Sequence, residues 1–323
     1  MHTDWYGKPY YSLDAYCKNT YGEKYYKIAL DGGFSCPNRD GRAGRGGCIF
    51  CSAGGSGDFA VNVEPCSISE QLETGRRLFG SKKTGTRFIA YFQAYTGTYA
   101  PIDYLQNIYT EALEQPEIGG ISIATRPDCL PDEVLTLLTK LKSDYPNKFI
   151  WIELGLQTIH EETAAFCNRG YKLPVFKEAM EKLSSLAIKT VVHVILGLPG
   201  ETPQMMYETC RYLNSTPAFG IKLQLLHVLK GTALGESYLS GALPDFKVLS
   251  QEEYTDIVIH CLEILRPNMV IHRLTGDGPK NTTIAPLWSL NKRNVLNTLH
   301  STMKQRDTYQ GRSYHDAGCA YTI

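Results

Sequence analysis

Three cysteines close together, Cys36, Cys48 and Cys51, constrain this chain more than any other feature. They lie in the stretch KIALDGGFSCPNRDGRAGRGGCIFCSAGGSGD, with eleven residues between the first two and two between the last two. A Cys-x-x-Cys pair lets two thiolates reach one metal centre, and a third from the same loop adds another iron ligand. Three thiolates serve three irons of a [4Fe–4S] cluster and leave the fourth iron open to a substrate. A structural site normally closes all four positions, so the missing ligand points to chemistry. Two other readings stand beside this one. One is a zinc site completed by His160 or His193, which lacks the second cysteine pair of a zinc ribbon. The other is a thioredoxin-like redox pair at Cys48 and Cys51, which leaves Cys36 and the long Gly/Arg loop without a role. Gly46, Gly47, Gly54, Gly55 and Gly57 let backbone amides approach cluster sulfurs, and Phe50 either shields the cluster or faces the core.

The loop follows an apolar run, Tyr25–Leu30, and further runs recur along the chain: 87–92, 120–124, 149–154, 190–196 and 221–227. They are short and rich in Ile, Val and aromatics, as buried parallel strands are. Helical patterns separate them at 67–79, 101–114, 131–142, 174–186 and 203–213. The first opens with Ser67 and Glu70 spaced as a capping box, and the others carry proline near the first turn. Such alternation predicts a parallel sheet with right-handed crossovers. Six units suit an α/β fold of the partial (β/α)6 TIM-type barrel kind, with an open doubly wound sheet as the alternative. The expected organisation is an N-terminal extension over 1–24, a barrel over 25–235 with the cluster loop at 32–57, and a mainly helical C-terminal extension over 236–323. In that extension 252–265 and 287–304 read as helices. The cysteine loop then sits at the carboxyl end of the first strand, where α/β folds place their active sites.

Composition narrows the setting. Lys+Arg and Asp+Glu are equal at 33 each, so any basic patch for a nucleic acid is local. The N-terminus carries no apolar signal region and no segment approaches 18 apolar residues, which predicts a cytoplasmic protein with no membrane span. Of ten cysteines, seven are scattered singly (Cys17, Cys66, Cys129, Cys167, Cys210, Cys261 and Cys319), and each is expected to be a small buried hydrophobe.

Three cysteines on the loop after the first strand, with an aromatic before the last, resemble the radical S-adenosylmethionine (SAM) enzymes. Their usual first interval is three residues; the eleven here resemble the subgroup around the Elongator catalytic subunit. The fuller string KIALDGGFSCPNRDG…GGCIFC is similar to a narrower bacterial group, the YhcC/YtqA-type proteins. The resemblance implies that Cys36, Cys48 and Cys51 hold the [4Fe–4S] cluster, that the open iron binds SAM, and that reductive cleavage of SAM yields a 5′-deoxyadenosyl radical. It also implies a reducing partner of the flavodoxin or ferredoxin type. QAYTGTY stands where the family has Gly-Gly-Glu, so Gln93 and Thr96 are expected at the SAM amino group, or the segment is a plain turn. In TRPD, Arg126 is expected to grip a carboxylate or phosphate of the substrate, and Asp128 to cap the next helix. ELGLQT presents Glu153 and Gln157 toward the SAM ribose; an acid in an apolar run needs a partner. Arg169 is expected at the SAM carboxylate, and Leu198 and Pro199 of LGLPGE along the adenine. His227 and Lys230 of LLHVLKGT would face the substrate, though a solvated Lys230 is the plainer reading.

The Elongator-like relatives modify the carbon-five substituent of wobble uridine. The resemblance therefore implies tRNA as partner and a step on a carboxymethylaminomethyl or aminomethyl side chain. Arg39, Arg42 and Arg45 in the loop, and Lys292, Arg293, Lys304, Arg306 and Arg312 near the C-terminus, are the candidate phosphate contacts. A small metabolite or coenzyme precursor as substrate, and a non-catalytic iron–sulfur carrier or sensor, are the alternatives. An auxiliary cluster is not expected, because the other cysteines show no close pairing.

Overall fold

The computed structural model describes residues 5–55, 57–60, 67–79 and 86–315. Cys66 and Cys319 lie outside the described residues. In chain order, α1 (Leu13–Tyr21) leads into β1 (Tyr25–Leu30), and α2 (Pro37–Asp40) and α3 (Ile68–Phe79) precede β2 (Arg87–Phe92). Then come α4 (Ile102–Glu114), β3 (Ile118–Thr125), α5 (Asp132–Asp144) and β4 (Phe149–Gln157). They are followed by α6 (Glu161–Phe166), α7 (Leu173–Ser185), β5 (Lys189–Leu196), α8 (Pro203–Asn214) and β6 (Gly220–Leu225). The remainder holds β7 (Val228–Leu229), α9 (Ala233–Leu239), α10 (Gln251–Ile264), β8 (Val270–Arg273), β9 (Thr283–Ala285) and α11 (Lys292–Gln305). The main sheet has the strand order β1-β2-β3-β4-β5-β6-β8, and β7 pairs with β9 in a second, two-stranded sheet.

The chain forms two compact units, Cys17–Gly155 with Cys167–Val191, and Met1–Tyr16 with Leu156–Phe166 and Val192–Ile323. In the first, β1, β2, β3 and β4 pair in parallel. Side chains alternate between the faces of each strand. Ile28 lies against α3, since a Cβ on Gly75 would come within 2.3 Å of it. Lys27, next to it, therefore faces the other way. In register, Tyr91 and Ser122 share that opposite face with Ala29, and Glu153 sits beside Ala124. The outer helices bury one stripe each; α5 buries Val134, Leu135, Leu137, Leu138 and Leu141. The capping box at the start of α3 is present: the Ser67 backbone N–H donates to Glu70 at 2.7 Å, and the Glu70 N–H to Ser67 Oγ at 3.2 Å.

In the second unit, β6 pairs in parallel with β8. This seventh strand corrects the expectation of six. Val270–Arg273 is only four residues long and stands in a polar stretch, so its pattern alone carries no strand signal; its bonds to β6 make it one. The expected strand over 221–227 stops at Leu225, before His227. The expected helix over 287–304 is broken into a 3₁₀ turn, Leu287–Leu290, and α11. Asn291 interrupts it, because its side chain accepts the Asn294 N–H at 3.2 Å and so begins a new helix. Cys17, Cys129, Cys167, Cys210 and Cys261 are all buried, as expected of scattered cysteines.

Candidate functional site

Cys36 has extended backbone and stands at the N-terminus of α2, with Pro37 at the first helical position. The short helix ends at Gly41, whose φ of 97° turns the chain back. The N–H groups of Ala43 and Gly44 donate to Pro37 O at 2.8 and 3.2 Å, and that of Gly47 donates to Asn38 O at 2.8 Å. The long interval between the first two cysteines is therefore a closed hairpin, which returns Cys48 to the neighbourhood of Cys36. The Cys51 N–H then donates to Cys48 O at 2.9 Å, a tight turn that brings the third thiol to the other two. Burial, then the neighbouring Cys51 thiol, push the Cys48 thiol up to about 12, against a smaller lowering by Arg126. Protonated thiols at this spacing avoid repulsion, and a coordinating metal deprotonates them.

Two other segments of the same unit fasten onto the cysteine loop, and a third, through Arg126, fastens onto one of them. The Ile49 N–H donates to Cys167 O at 3.1 Å, and Asn168 Nδ2 donates to Gly47 O at 2.7 Å. The Thr96 N–H donates to Ser35 O at 3.2 Å, and the Tyr95 N–H to Gly55 O at 2.8 Å. Arg126 donates through Nη1 to Arg169 O at 2.9 Å, and both Arg126 and Arg169 lie over the Tyr171 ring, at 4.9 and 4.7 Å. The three cysteines, Gln93, Thr96, Arg126 and Arg169 thus belong to one unit, on segments that follow strands of one sheet.

Two expectations change in detail. Asp128 does not cap α5, whose N-terminus is Pro131 without a side-chain cap. Instead Asp128 accepts two bonds from Arg126, at 2.9 and 2.7 Å, because a bidentate guanidinium–carboxylate pair outweighs a single cap bond. Glu153 is fully buried and is ion-paired with Lys27 on β1, with Ser122 Oγ also donating to it. Its charge is thus met inside the sheet, where the expected partner was the SAM ribose. The missed signal is Lys27 at an inward position of YYKIAL; a lone cation and a lone acid in two apolar strands of one sheet suit each other.

In the second unit, Gln157 ends β4 with φ of 62°, and Leu198 and Pro199 are buried in the turn after β5. Burial raises the nearby Glu201 carboxyl to about 7, with a Thr158 hydrogen bond acting the other way. His227 Nε2 lies 3.0 Å from Ser289 Oγ, between the backbones of Gly276 and Gly278. Lys230 is exposed. Of the C-terminal cations, Lys292 is paired with Asp277 at 2.6 Å and Arg306 with Asp256 at 2.5 Å, while Arg293 and Lys304 are exposed. His160 lies 2.9 Å from Met205 O through Nε2.

The chain from 39 to 213 matches the family model for the radical SAM superfamily, and 218–305 matches the radical SAM C-terminal domain. It is 43% identical to the uncharacterized protein YtqA of Bacillus subtilis over 307 residues, 95% of this chain and 93% of that one. The chain belongs to the radical SAM superfamily. It is also 38% identical to protein YhcC of Escherichia coli K12, covering 84% of this chain and 85% of that protein. The tRNA uridine(34) acetyltransferase of Methanocaldococcus jannaschii is 26% identical over 51% of this chain and 29% of its own length. Among solved structures, the Methanocaldococcus infernus Elp3 superposes with a TM-score of 0.65 at 16% identity, over 88% of this chain and 64% of that one. The fold is the partial α/β barrel of this family, and the protein is a radical SAM enzyme, which sets aside a bare electron carrier.

The family implies a [4Fe–4S] cluster and SAM, and the residues present fit the cluster. Three thiols stand on one closed hairpin, mutually close enough to influence one another's protonation, with side-chain N–H donors behind two of them. Among the described residues no three His, Cys, Asp or Glu side chains converge on a single-ion site. A cluster instead takes each thiolate on a different iron. Among the described residues no helix is long and apolar enough to cross a membrane.

Proposed function

We propose that Cys36, Cys48 and Cys51 hold the cluster and that the enzyme modifies tRNA, at the carbon-five side chain of wobble uridine. The observation that carries the cluster reading is the closed 36–51 hairpin, which gathers three thiols on one loop. When bound, the cluster and SAM supply one-electron reductive cleavage of a carbon–sulfur bond, with the electron coming from a flavodoxin- or ferredoxin-type donor. The chain's own residues bind and orient. Arg169, stacked on Tyr171, supplies fixed positive charge for a carboxylate or phosphate, and Arg126, its own charge matched by Asp128, holds that segment through Arg169 O. Gln93 and Thr96, on the segment fastened to Ser35, are assigned to the SAM amino group, and Gln157, Leu198 and Pro199 to the nucleoside part. Glu153 acts together with Lys27, as a paired group beneath the site.

The RNA reading is supported by similarity to a protein named for acetylating tRNA uridine 34. Arg42 and Arg45, exposed on the cysteine hairpin itself, add to it. Cations beside the reacting centre suit a phosphate backbone. The same reading carries a cytoplasmic location, where reductants keep thiols available for iron.

The test is anaerobic. The protein is reconstituted with iron and sulfide, reduced and given SAM, and 5′-deoxyadenosine and methionine are measured with and without total tRNA. Stimulation by tRNA that fades with rising salt is the expected result. Cleavage indifferent to tRNA would move the search to a small metabolite, and no cleavage by iron-loaded protein would sink the proposal.

A further inference from the structure

Asn38 is fully buried two residues after the first cysteine. Its Nδ2 lies 2.6 Å from Asn168 O and 3.8 Å from Cys48 Sγ. The first contact settles which way the amide points. Rotated by half a turn, Oδ1 would stand against the Asn168 carbonyl, acceptor against acceptor. Oδ1 has no hydrogen-bond partner among the described residues. It is boxed in by backbone, since a Cβ on Gly44 would come within 2.2 Å of it and one on Gly170 within 2.7 Å. A buried acceptor left unpaired costs stability, and such costs collect where a group is needed for something else. Here the amide's N–H is needed toward sulfur.

Arg39, the next residue, does the same at the other member of the Cys-x-x-Cys pair. Its Nη2 donates to Cys51 O at 3.1 Å and also to Ser52 O, and its side chain hydrogen-bonds the Cys51 thiol. The ring of Tyr95, 5.5 Å from the guanidinium carbon, backs it. The hairpin interval thus places an N–H donor on Cys48 and a cationic donor on Cys51 from two consecutive residues.

From this geometry we infer that Asn38 and Arg39 set the reduction potential of the cluster, holding it high enough to accept an electron. Reduction makes the cluster more negative. An N–H aimed at a ligand sulfur, and a positive charge beside another, stabilise that state more than the oxidised one. Both are positioning residues that act through the cysteine ligands. The inference rests on the cluster assignment above.

The experiment is an EPR-monitored redox titration of the reconstituted full chain without SAM. Asn38→Ala is expected to lower the midpoint by about 60 mV, equivalent to about a tenfold loss in the one-electron equilibrium constant. Arg39→Gln is expected to shift it the same way. Iron-loaded variants with the wild-type midpoint would overturn the inference, whereas wild-type protein that binds no iron would overturn the ligand assignment instead. Should Asn38→Ala fail to hold iron, the wild type answers the question. With only the side-chain amide nitrogen of asparagine labelled with ¹⁵N, pulsed EPR of the reduced cluster is expected to show a ¹⁵N coupling in place of the ¹⁴N coupling of unlabelled protein, and its absence would refute the contact.

Discussion

Two glycine-lined corners of the molecule look alike in sequence and differ in how they settle their polar groups. At the 36–51 hairpin Gly44 and Gly170 crowd Asn38, whose Oδ1 has no partner among the described residues, and three thiols stand near one another. In the corner around His227, Gly276 and Gly278 crowd the imidazole, where a Cβ would come within 2.6 and 2.8 Å of the ring. There the accounts close. His227 meets Ser289 at 3.0 Å, and Asp277 takes Lys292 at 2.6 Å and Arg273 at 3.2 Å. A corner whose donors and acceptors are matched has finished its work as structure. One that leaves them unmatched is built for something added later.

Removing a thiol tests that contrast most severely. Cys48→Ala is expected to reduce iron content and SAM cleavage to background in anaerobically reconstituted protein. A complete cluster in that variant would erase the contrast by making the hairpin ordinary.

His227 offers the next largest effect. Burial holds its pKa down at about 4 against the ordinary 6.5, with Asp277 opposing and Arg273 assisting. Between those values the unfolded chain binds a proton that the folded chain does not. The stability is therefore complete above about pH 6.5 and is lost as pH falls toward 4, by up to about 3 kcal/mol. Urea denaturation across that window should show the loss in wild type and a flatter profile in His227→Gln, with iron content unchanged. If His227→Gln instead abolished SAM cleavage while the pH profile stayed as in wild type, the second corner would belong to the site after all.

The smallest effect is expected from Lys230→Ala, because the side chain is exposed. Stability should move by no more than about 0.5 kcal/mol in thermal unfolding, and iron content should be unaffected. A marked loss of tRNA affinity would sharpen the comparison by giving the second corner an outward-facing role.

Much of the fold was legible in the residues because periodicity is local. The strands Tyr25–Leu30 and Arg87–Phe92 appear with the expected bounds, and Ser67 with Glu70 signals its capping box within four residues. The strand β8 was not legible, since four residues gain strand character only from bonds to β6, about fifty positions earlier. The break at Asn291 was missed because the apolar spacing runs through it and only the cap reveals it.

The site divides in the same way. Cys36, Cys48 and Cys51 stand out in the sequence because thiols with this spacing have few other uses, and the hairpin holds them on one loop. Lys27 as the partner of Glu153 and Asn38 behind Cys48 were not, because those pairings are chosen by register and by a hairpin closing. Arg126 and Asp128 are two residues apart, and only the turn between them decides that the carboxylate takes the guanidinium instead of capping α5.

By itself, then, the sequence determined what depends on neighbours along the chain: alternating strands and helices, caps, and a three-thiol loop after the first strand. Only the tertiary structure decided which buried charges compensate one another, which stretch completes the sheet, and which amide faces sulfur. The physical reason is range. Propensity and spacing act over a few residues, whereas electrostatic pairing and hydrogen bonding act between groups that folding alone brings within reach.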